Sequence, residues 1–262
     1  MIEPETRATA AILADAAREA GAEAMRHFRP GARTSADVAY KEGNSPVSEA
    51  DHAADRALAA TLRKAFPGAA WLSEESAEDA AARARPLALV VDPIDGTKAF
   101  IAGDPRWCVS VALSLDGRVV AGVLHAPALG RTYVAARGGG SFRDGAPIGV
   151  DRGAALSPLL VAGGDRVARQ VAPAGVDWTF APRTPSLALR LAQAAEGAVG
   201  LAFATPDARD WDVAAADLLL EEAGGTLTTL DGARLVYNRD STRHPALVAG
   251  GVSRHEALLA RR

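Results

Sequence analysis

The chain has 262 residues, of which 48% are hydrophobic and 23% are charged, and its formal net charge is −3. This composition is typical of a globular protein with one large domain or two modest ones. The net charge gives no basic surface of the kind that binds nucleic acid polymers, and no segment approaches the roughly 20 apolar residues that a membrane span requires. The N-terminus lacks the basic-then-apolar pattern of a signal peptide, so we expect a cytoplasmic protein that does not bind membranes.

The first helices and strands are indicated by hydrophobic spacing. Apolar residues at helical spacing predict a helix over 6–28, and Ser48 with Asp51 three residues later predicts the capping box of a second helix. Strands are predicted at 71–73, 87–91, 107–115, 118–125 and 131–136. The pair Asp116-Gly117 predicts a hairpin turn, and 77–85 is interpreted as a surface helix or loop. The half formed by 1–150 is therefore expected to consist of helices packed on an antiparallel sheet.

After about residue 150, strand-like and helical runs alternate. Strands are predicted at 159–162, 199–203, 226–229 and 246–249. A helix over 185–196 begins with proline and is followed by glycine, and a helix over 211–223 is closed by Gly224-Gly225. This alternation predicts a smaller α/β half, 151–262, that packs closely on the first half.

Cysteine and histidine give no sign of a soft metal site. Cys108 is the only cysteine, which excludes an internal disulfide and a four-thiolate zinc site. It follows Trp107 in an apolar run and is interpreted as a small core residue. The histidines lack metal-ligand spacing and are interpreted as structural or surface residues; they are His27, His52, His125, His244 and His255.

Acidic residues stand at turns and helix starts in four separate segments. The run Asp92-Pro93-Ile94-Asp95-Gly96-Thr97 follows an apolar strand and offers two carboxylates, a hydroxyl and backbone amides. Hard cations such as Mg²⁺ prefer carboxylate oxygens and keep room for substrate phosphate. Glu74, Asp51 and Asp212 each have an ordinary explanation as a solvated residue or a helix cap. Together with the run, they predict metal-assisted phosphoryl chemistry.

These segments resemble the signature motifs of the inositol monophosphatase superfamily, in the family's order and at family-like separations. They are Lys41 with Ser45-Pro46-Val47-Ser48-Glu49-Ala50-Asp51, Glu74-Glu75-Ser76, the run from Asp92 to Thr97, and Trp211-Asp212-Val213-Ala214-Ala215-Ala216 with Glu222-Ala223-Gly224-Gly225. The resemblance covers nearly the whole chain. It implies an α+β / α/β fold, the layered αβαβα sandwich of this superfamily, in a homodimeric, Mg²⁺-dependent and lithium-sensitive phosphatase of small phosphorylated metabolites.

The resemblance also implies roles for individual residues. One Mg²⁺ would be held by Glu74, Asp92 and the backbone carbonyl of Ile94, and a second by Asp92, Asp95 and Asp212. A third, weaker ion would lie near Glu74, and Glu74 counts among the catalytic residues with Asp51 and Thr97. Asp51 and Thr97 resemble the pair that orients and deprotonates the attacking water. The amides of Gly96 and Thr97 would meet the phosphate at a helix start.

The identity of the phosphate ester is less well indicated. Lys98 and the loop Ser45-Pro46-Val47 resemble the CysQ-type 3′(2′),5′-bisphosphate nucleotidase branch. A lysine at position 98 could pair with the second phosphate that such a nucleotide carries. Ala99 departs from the acidic residue of that branch, and 205–210 matches no branch closely. Inositol monophosphate and histidinol phosphate stay open as substrates, and a solvated lysine at position 98 is equally consistent with the sequence.

The remaining expected substrate contacts are Lys41, Arg183 and Asp210. A regulatory binding protein on the same fold is the alternative from another functional class. The presence of a carboxylate at every matched ligand position argues against an inactive site.

Overall fold

The structure is a computed structural model that describes residues 4–41, 45–76 and 85–261. The helices within these ranges are α1 (Pro4–Met25), α2 (Glu49–Ala65), α3 (Thr97–Ala102), α4 (Asp165–Val171), α5 (Leu187–Ala195), α6 (Asp210–Glu222) and α7 (Val252–Leu259), with a 3₁₀ turn at Pro127–Leu129. None of these helices is long and apolar enough to cross a membrane. Apart from residue 85, the segment predicted as a surface helix or loop lies outside the described residues.

Within the described ranges, the strands form three sheets. In chain order they are β1 (Val38–Tyr40), β2 (Pro46–Ser48), β3 (Ala70–Ser73), β4 (Leu87–Asp95), β5 (Cys108–Leu115), β6 (Arg118–Ala126), β7 (Arg131–Ala136), β8 (Gly140–Arg143), β9 (Ala146–Pro147), β10 (Leu159–Ala162), β11 (Trp178–Phe180), β12 (Leu201–Ala204), β13 (Gly225–Thr229) and β14 (Leu247–Gly251). The strands β1 and β2 pair in a small antiparallel ribbon. The other strands build a seven-stranded and a five-stranded sheet.

The seven-stranded sheet has the order β3-β4-β5-β6-β7-β8-β9. The expected antiparallel pairing is confirmed from β4 to β9. It is wrong for β3, which runs parallel to β4. Parallel neighbours need a crossover of about a dozen residues, and the chain between Ser73 and Leu87 is long enough to provide it.

Both faces of this sheet are buried. Along β4, Leu89 and Val91 pack with α1 and α2 on one face, whereas Val90 packs on the opposite face with the core that includes α5 and α6. Successive side chains of a strand point to opposite faces, so a strand covered on both sides is apolar throughout. This is why 87–91 of β4 is a continuous hydrophobic run and β5 is apolar apart from Ser110 and Ser114.

The five-stranded sheet has the order β11-β10-β12-β14-β13, with β11, β10 and β12 parallel. Its inner face, which includes Ala202 and Ala249, packs on α5 and α6. Its outer face, which includes Val161 and Phe203, is covered by α4 and α7. The layers are therefore α1 and α2, the large sheet, α5 and α6, the small sheet, and α4 and α7. This is the predicted αβαβα sandwich.

The helix α6 lies unusually close to the large sheet. A Cβ atom placed on Gly122 in β6 would lie 3.1 Å from the Cα atom and from the carbonyl oxygen of Ala215. The chain uses glycine and alanine here because a larger pair would push α6 away from the sheet. One hydrophobic core thus extends across both halves of the chain, and a domain boundary near residue 150 stays a prediction.

Candidate active site

A cleft of ≈ 210 Å³ opens where β3, β4, α3 and α6 end or begin. Its lining residues are Ser45, Pro46, Glu74, Asp92, Asp95, Gly96, Thr97, Lys98, Arg183, Pro185 and Asp212. The fold therefore brings together the acidic segments that are far apart in the sequence. Arg183 reaches the same cleft from the chain that follows β11.

Three carboxylates form a tight cluster in this cleft. One oxygen atom each of Glu74, Asp92 and Asp212 lies within 4.8 Å of the others. Burial, together with the charges of Glu74 and other nearby carboxylates, raises the pKa of Asp92 well above its usual range. The pKa of Asp212 is raised in the same way, first by burial and then by the charge of Asp95. Like charges in a buried site need a proton or a cation, and a donor set made only of oxygens suits Mg²⁺.

Asp95 lies in the same cleft but is held differently. Its Oδ2 atom accepts a hydrogen bond from the Ser186 hydroxyl and another, of 2.7 Å, from the Ala188 amide, and its Oδ1 atom accepts one of 3.3 Å from the Leu187 amide. These donors belong to the N-cap and first turn of α5. Burial raises the pKa of Asp95 to about 6, although the bond from Ser186 acts in the opposite direction. Whether Asp95 also binds a metal ion stays a prediction.

The end of β4 has an irregular backbone that directs its polar groups. The strand extends to Asp95 rather than ending at Val91 as predicted, and its register against β5 shifts between Asp92 and Asp95. The Ile94 amide donates a 3.0 Å hydrogen bond to Asp92 Oδ1, which closes a local turn. Gly96 then caps α3 with φ of 97°, a left-handed conformation that glycine adopts without strain.

Asp51 and Thr97 lie side by side, as predicted. The Thr97 hydroxyl is 3.3 Å from Asp51 Oδ1 and 3.1 Å from the carbonyl oxygen of Ile94. The other oxygen of Asp51 accepts hydrogen bonds of 2.8 Å and 2.6 Å from the amide and the hydroxyl of Ser48, so the predicted capping box is confirmed. Burial is the main cause that raises the pKa of Asp51 to about 6. A carboxyl with this pKa can accept and release a proton near neutral pH.

Lys41 supports the glutamates that follow β3. Its Nζ atom lies 3.2 Å from Glu74 Oε1 and 2.7 Å from Glu75 Oε1. Burial acts to lower the pKa of Lys41, but the attraction of both glutamates outweighs it, and the pKa is raised. The Glu75 side chain is only 2% exposed, and burial raises its pKa to about 7. The sequence motif includes Glu75, but the sequence did not indicate that it would be the closer partner of Lys41.

The predicted substrate contacts separate into two groups. Lys98 and Arg183 are exposed and line the cleft. Asp210 is fully buried; its carboxylate bonds His244 Nε2 at 2.8 Å and the Asn238 amide at 2.9 Å. The prediction that Asp210 contacts substrate is therefore wrong, because both of its oxygens hold the chain that precedes β14.

Arg183 has a further support that was not apparent from the sequence. Arg106 Nη1 donates a 2.5 Å hydrogen bond to the Arg183 carbonyl oxygen. The same guanidinium is paired with Asp104, and the Asp104 amide bonds the carbonyl oxygen of Ala99 in α3. The loop that carries Arg183 is thus tied to the helix that carries Lys98.

A layered sandwich with a carboxylate cluster in a cleft, beside the Thr97 hydroxyl, is the arrangement expected of a metal-dependent phosphatase. Residues 5–261 match the model of the inositol monophosphatase family, and the chain belongs to this family. It is therefore a phosphatase of a family that depends in general on Mg²⁺.

Named relatives and solved structures agree with this assignment. The chain is 32% identical to an inositol-1-monophosphatase of Mesorhizobium japonicum over 261 residues, which cover 95% of this chain and 93% of the relative. It is 38% identical to a histidinol-phosphatase of Mycobacterium tuberculosis over 199 residues, 72% of this chain and 75% of the relative. The crystal structure of the extragenic suppressor protein suhB of Bartonella henselae superimposes with a TM-score of 0.83 at 28% identity, covering 97% and 98% of the two chains.

Proposed function

We propose that this phosphatase removes one phosphate from a small metabolite that carries two, with 3′-phosphoadenosine 5′-phosphate, converted to AMP, as the best example. The observation that carries this proposal is the pair of exposed cations, Lys98 and Arg183, in the lining of the cleft that contains the carboxylate cluster. A guanidinium and an ammonium are suited to bind a phosphate group that is not the one being hydrolysed.

The reaction site is assigned to the residues around the carboxylate cluster. Glu74, Asp92, Asp95, Asp212 and the carbonyl oxygen of Ile94 would hold two or three Mg²⁺ ions. When bound, these ions neutralise the charge of the phosphate and lower the pKa of a bound water molecule.

The attacking water is assigned to Thr97 and Asp51. The hydroxyl of Thr97 is fixed between Asp51 Oδ1 and the Ile94 carbonyl oxygen, so its position is defined before substrate arrives. Asp51 accepts the proton, which its pKa of about 6 permits near neutral pH. The backbone amides of Gly96 and Thr97 are assigned to the oxygens of the phosphate that is removed.

The charge at the cleft mouth separates the possible substrates. A bisphosphate brings a second dianion to Lys98 and Arg183, and inositol 1-phosphate brings only hydroxyls there. Histidinol phosphate brings an ammonium, which two exposed cations repel. At about 4 Å an exposed charge pair is worth about 1 kcal/mol in water, so two such contacts produce roughly tenfold or greater discrimination.

Histidinol phosphate and inositol 1-phosphate are the second candidates. They are supported by the names of the relatives that are 38% and 32% identical to this chain. The deciding experiment compares kcat/KM for the three esters in saturating Mg²⁺. We expect the bisphosphate to be preferred at least tenfold. A tenfold preference for either monophosphate, about 1.4 kcal/mol in transition-state binding, would overturn the substrate assignment.

Variants connect this preference to the two cations. Lys98→Ala and Arg183→Ala should each lower kcat/KM for the bisphosphate about fivefold and leave the values for inositol 1-phosphate within about twofold. Lys64→Ala serves as the control, because Lys64 is an exposed lysine in the last turn of α2 and does not line the cleft. Equal losses for both esters would assign these cations to general phosphate binding instead.

Two further predictions concern assembly. We predict a homodimer, which sedimentation equilibrium would detect. A monomer at micromolar concentration would contradict this prediction. A regulatory role is supported by the similarity to the suhB structure and to a relative named Nus factor SuhB, which is 31% identical to this chain. Stoichiometric capture of a macromolecular partner by a chain that hydrolyses none of the three esters would favour that role over catalysis.

A further inference from the structure

A second polar cavity lies at the far end of the large sheet. The strand β5 begins near the active site, where Cys108 pairs with Asp95 of β4. It ends at Leu115, and a turn at Asp116 connects it to β6. The β5–β6 turn is roughly 20 Å from the acidic cleft, at about 3.3 Å per residue along the strand. A cavity of ≈ 250 Å³ opens beside this turn. Its charged lining residues are Asp116, Arg118, Arg137, Asp217, Glu221, Arg234 and Arg239.

Three of the four arginines in this cavity are only weakly neutralised. Arg137 is fully engaged, since it bonds both oxygens of Glu221 and the carbonyl oxygen of Val119. Arg234 approaches the same Glu221 only at 3.7 Å, and its side chain is 71% exposed. Over residues 4–41, 45–76 and 85–261, the side chains of Arg118 and Arg239 have no ion pair or hydrogen bond. Three guanidinium groups are therefore available to an anion.

The inner wall of the cavity offers hydrogen-bond acceptors. The Tyr237 hydroxyl donates a 2.7 Å hydrogen bond to Asp217 Oδ2, which fixes the carboxylate of Asp217. Glu221 stands one turn further along α6 and remains partly exposed. Carboxylate oxygens accept hydrogen bonds from hydroxyl groups. The lining thus combines phosphate-binding guanidinium groups with hydroxyl-binding carboxylates.

We propose that this arginine-lined cavity is a second ligand site, which binds a phosphorylated polyhydroxy metabolite such as a hexose phosphate. Its phosphate is bound by Arg118, Arg234 and Arg239, because guanidinium groups bind phosphate oxygens in bidentate geometry. Its hydroxyl groups are bound by Asp217 and Glu221. The volume is below the roughly 300–1,000 Å³ of pockets for drug-sized molecules, so a small metabolite fits it. The site is separate from the cleft, and its ligand does not compete with substrate.

The test is calorimetric titration with glucose 6-phosphate in EDTA, where the acidic cleft repels anions and no turnover occurs. Inorganic phosphate and glucose serve as single-group probes. We expect glucose 6-phosphate to bind at least tenfold more tightly than either, since only it uses both parts of the lining. Arg118→Ala, Arg234→Ala and Arg239→Ala should each weaken its binding about tenfold, and Asp217→Asn should weaken it without changing the binding of phosphate.

Two control variants separate the cavity from the cleft and from general surface charge. Arg152→Ala removes an exposed arginine that is not in the cavity, and Lys98→Ala removes a cation of the cleft. Both should bind glucose 6-phosphate like the unaltered protein. Loss of binding in Lys98→Ala with retention in the three cavity variants would overturn the proposal, as would no binding at millimolar ligand. Because the three cavity arginines are exposed, their variants should unfold at the same temperature as the unaltered protein.

Discussion

Asp92 lies at the centre of the carboxylate cluster, and the variant Asp92→Asn should separate stability from activity. Its oxygen lies within 4.8 Å of oxygens of Glu74 and Asp212. At that distance two unit charges repel by about 3 kcal/mol for an effective dielectric constant of about 20. Asparagine keeps an acceptor for the Ile94 amide, which now donates to Asp92 Oδ1 at 3.0 Å, and its NH₂ group can donate to a neighbouring carboxylate.

The expected gain in the free energy of unfolding of Asp92→Asn is smaller than the full repulsion of Asp92 by Glu74 and Asp212. The folded-state pKa of Asp92 is raised by burial first and by Glu74 next, so proton uptake relieves part of the repulsion. We expect Asp92→Asn to stabilise the protein in EDTA at pH 8 by about 3 kcal/mol, or about 6–12 °C in Tm. A raised carboxyl pKa penalises the fold only when the group is charged, so the gain should shrink as pH falls from 8 towards 5.

The assay is thermal unfolding at pH 5 and pH 8, in EDTA and in Mg²⁺, combined with measurement of phosphate release. Mg²⁺ should raise the Tm of the unaltered protein and have a much smaller effect on Asp92→Asn, whose turnover should fall about 1,000-fold because several kcal/mol of metal-based stabilisation is lost. Asp15→Asn is the matched control, since the Asp15 side chain is 74% exposed. Destabilisation of Asp92→Asn in EDTA at pH 8, or undiminished turnover, would refute this reasoning.

Three other variants test separate parts of the structure. Thr97→Ala should lower kcat about 100-fold with little change in KM, because it removes the hydroxyl that contacts Asp51 and Ile94. Thr97→Ser keeps a hydroxyl and should retain most of the kcat of the unaltered protein. Equal kinetics of the alanine and serine variants would contradict this role. Lys41→Met should lower the free energy of unfolding by about 2–3 kcal/mol at pH 8, because it leaves the buried Glu75 carboxylate without its partner. The loss should be smaller at pH 6, where Glu75, with its pKa of about 7, takes up a proton. Denaturant titration measures both losses, with Arg18→Met as the control because it breaks an exposed pair worth less than about 1 kcal/mol. Gly122→Ala should cost about 1–3 kcal/mol in the same titration, because its Cβ atom would lie 3.1 Å from the backbone of Ala215; an unchanged midpoint would show that α6 can move away from the sheet.

The long apolar elements could be predicted from the sequence because their side chains pack on two faces. The strand runs 118–125 and 131–136 differ by at most one residue at each end from β6 and β7. The short elements carry too few residues for a period to show. The ribbon of β1 and β2 has three residues on each strand, and β11 has three that are only partly buried or exposed. The sequence therefore indicated the inner layers and missed the peripheral strands, including β8 and β9, and the outer helices α4 and α7.

The same difference applies to the site. The residues of the carboxylate cluster and the Asp51–Thr97 pair could be located from the sequence, because each belongs to a local motif at a strand end or a helix start. Arg183 was only a weak substrate prediction, because its position depends on β11, which the sequence did not reveal. Asp210 looked like a substrate residue because it precedes the Trp211-Asp212 motif. Only the tertiary pairing with His244 shows that its side chain points into the protein.

The charges of the carboxylate cluster cannot be balanced by the backbone alone. Asp95 accepts hydrogen bonds from the start of α5, and Asp212 lies in the first turn of α6, where the helix dipole favours an anion. Each such placement contributes about 0.3–1 kcal/mol, and up to about 2 kcal/mol when partly buried. The three pairs within the Glu74, Asp92 and Asp212 cluster each repel by about 3 kcal/mol.

Two helix starts therefore offset less than half of this repulsion, and the remainder must come from protons or cations. Protons supply part of it, because the pKa values of Asp92 and Asp212 are raised well above their usual range, and a bound cation can take the place of these protons. A cation that binds only the folded state adds about 2.7 kcal/mol at 100 times its Kd. This equals roughly the repulsion of one carboxylate pair, so occupancy of the cleft by Mg²⁺ should be measurable as stability before any substrate is added.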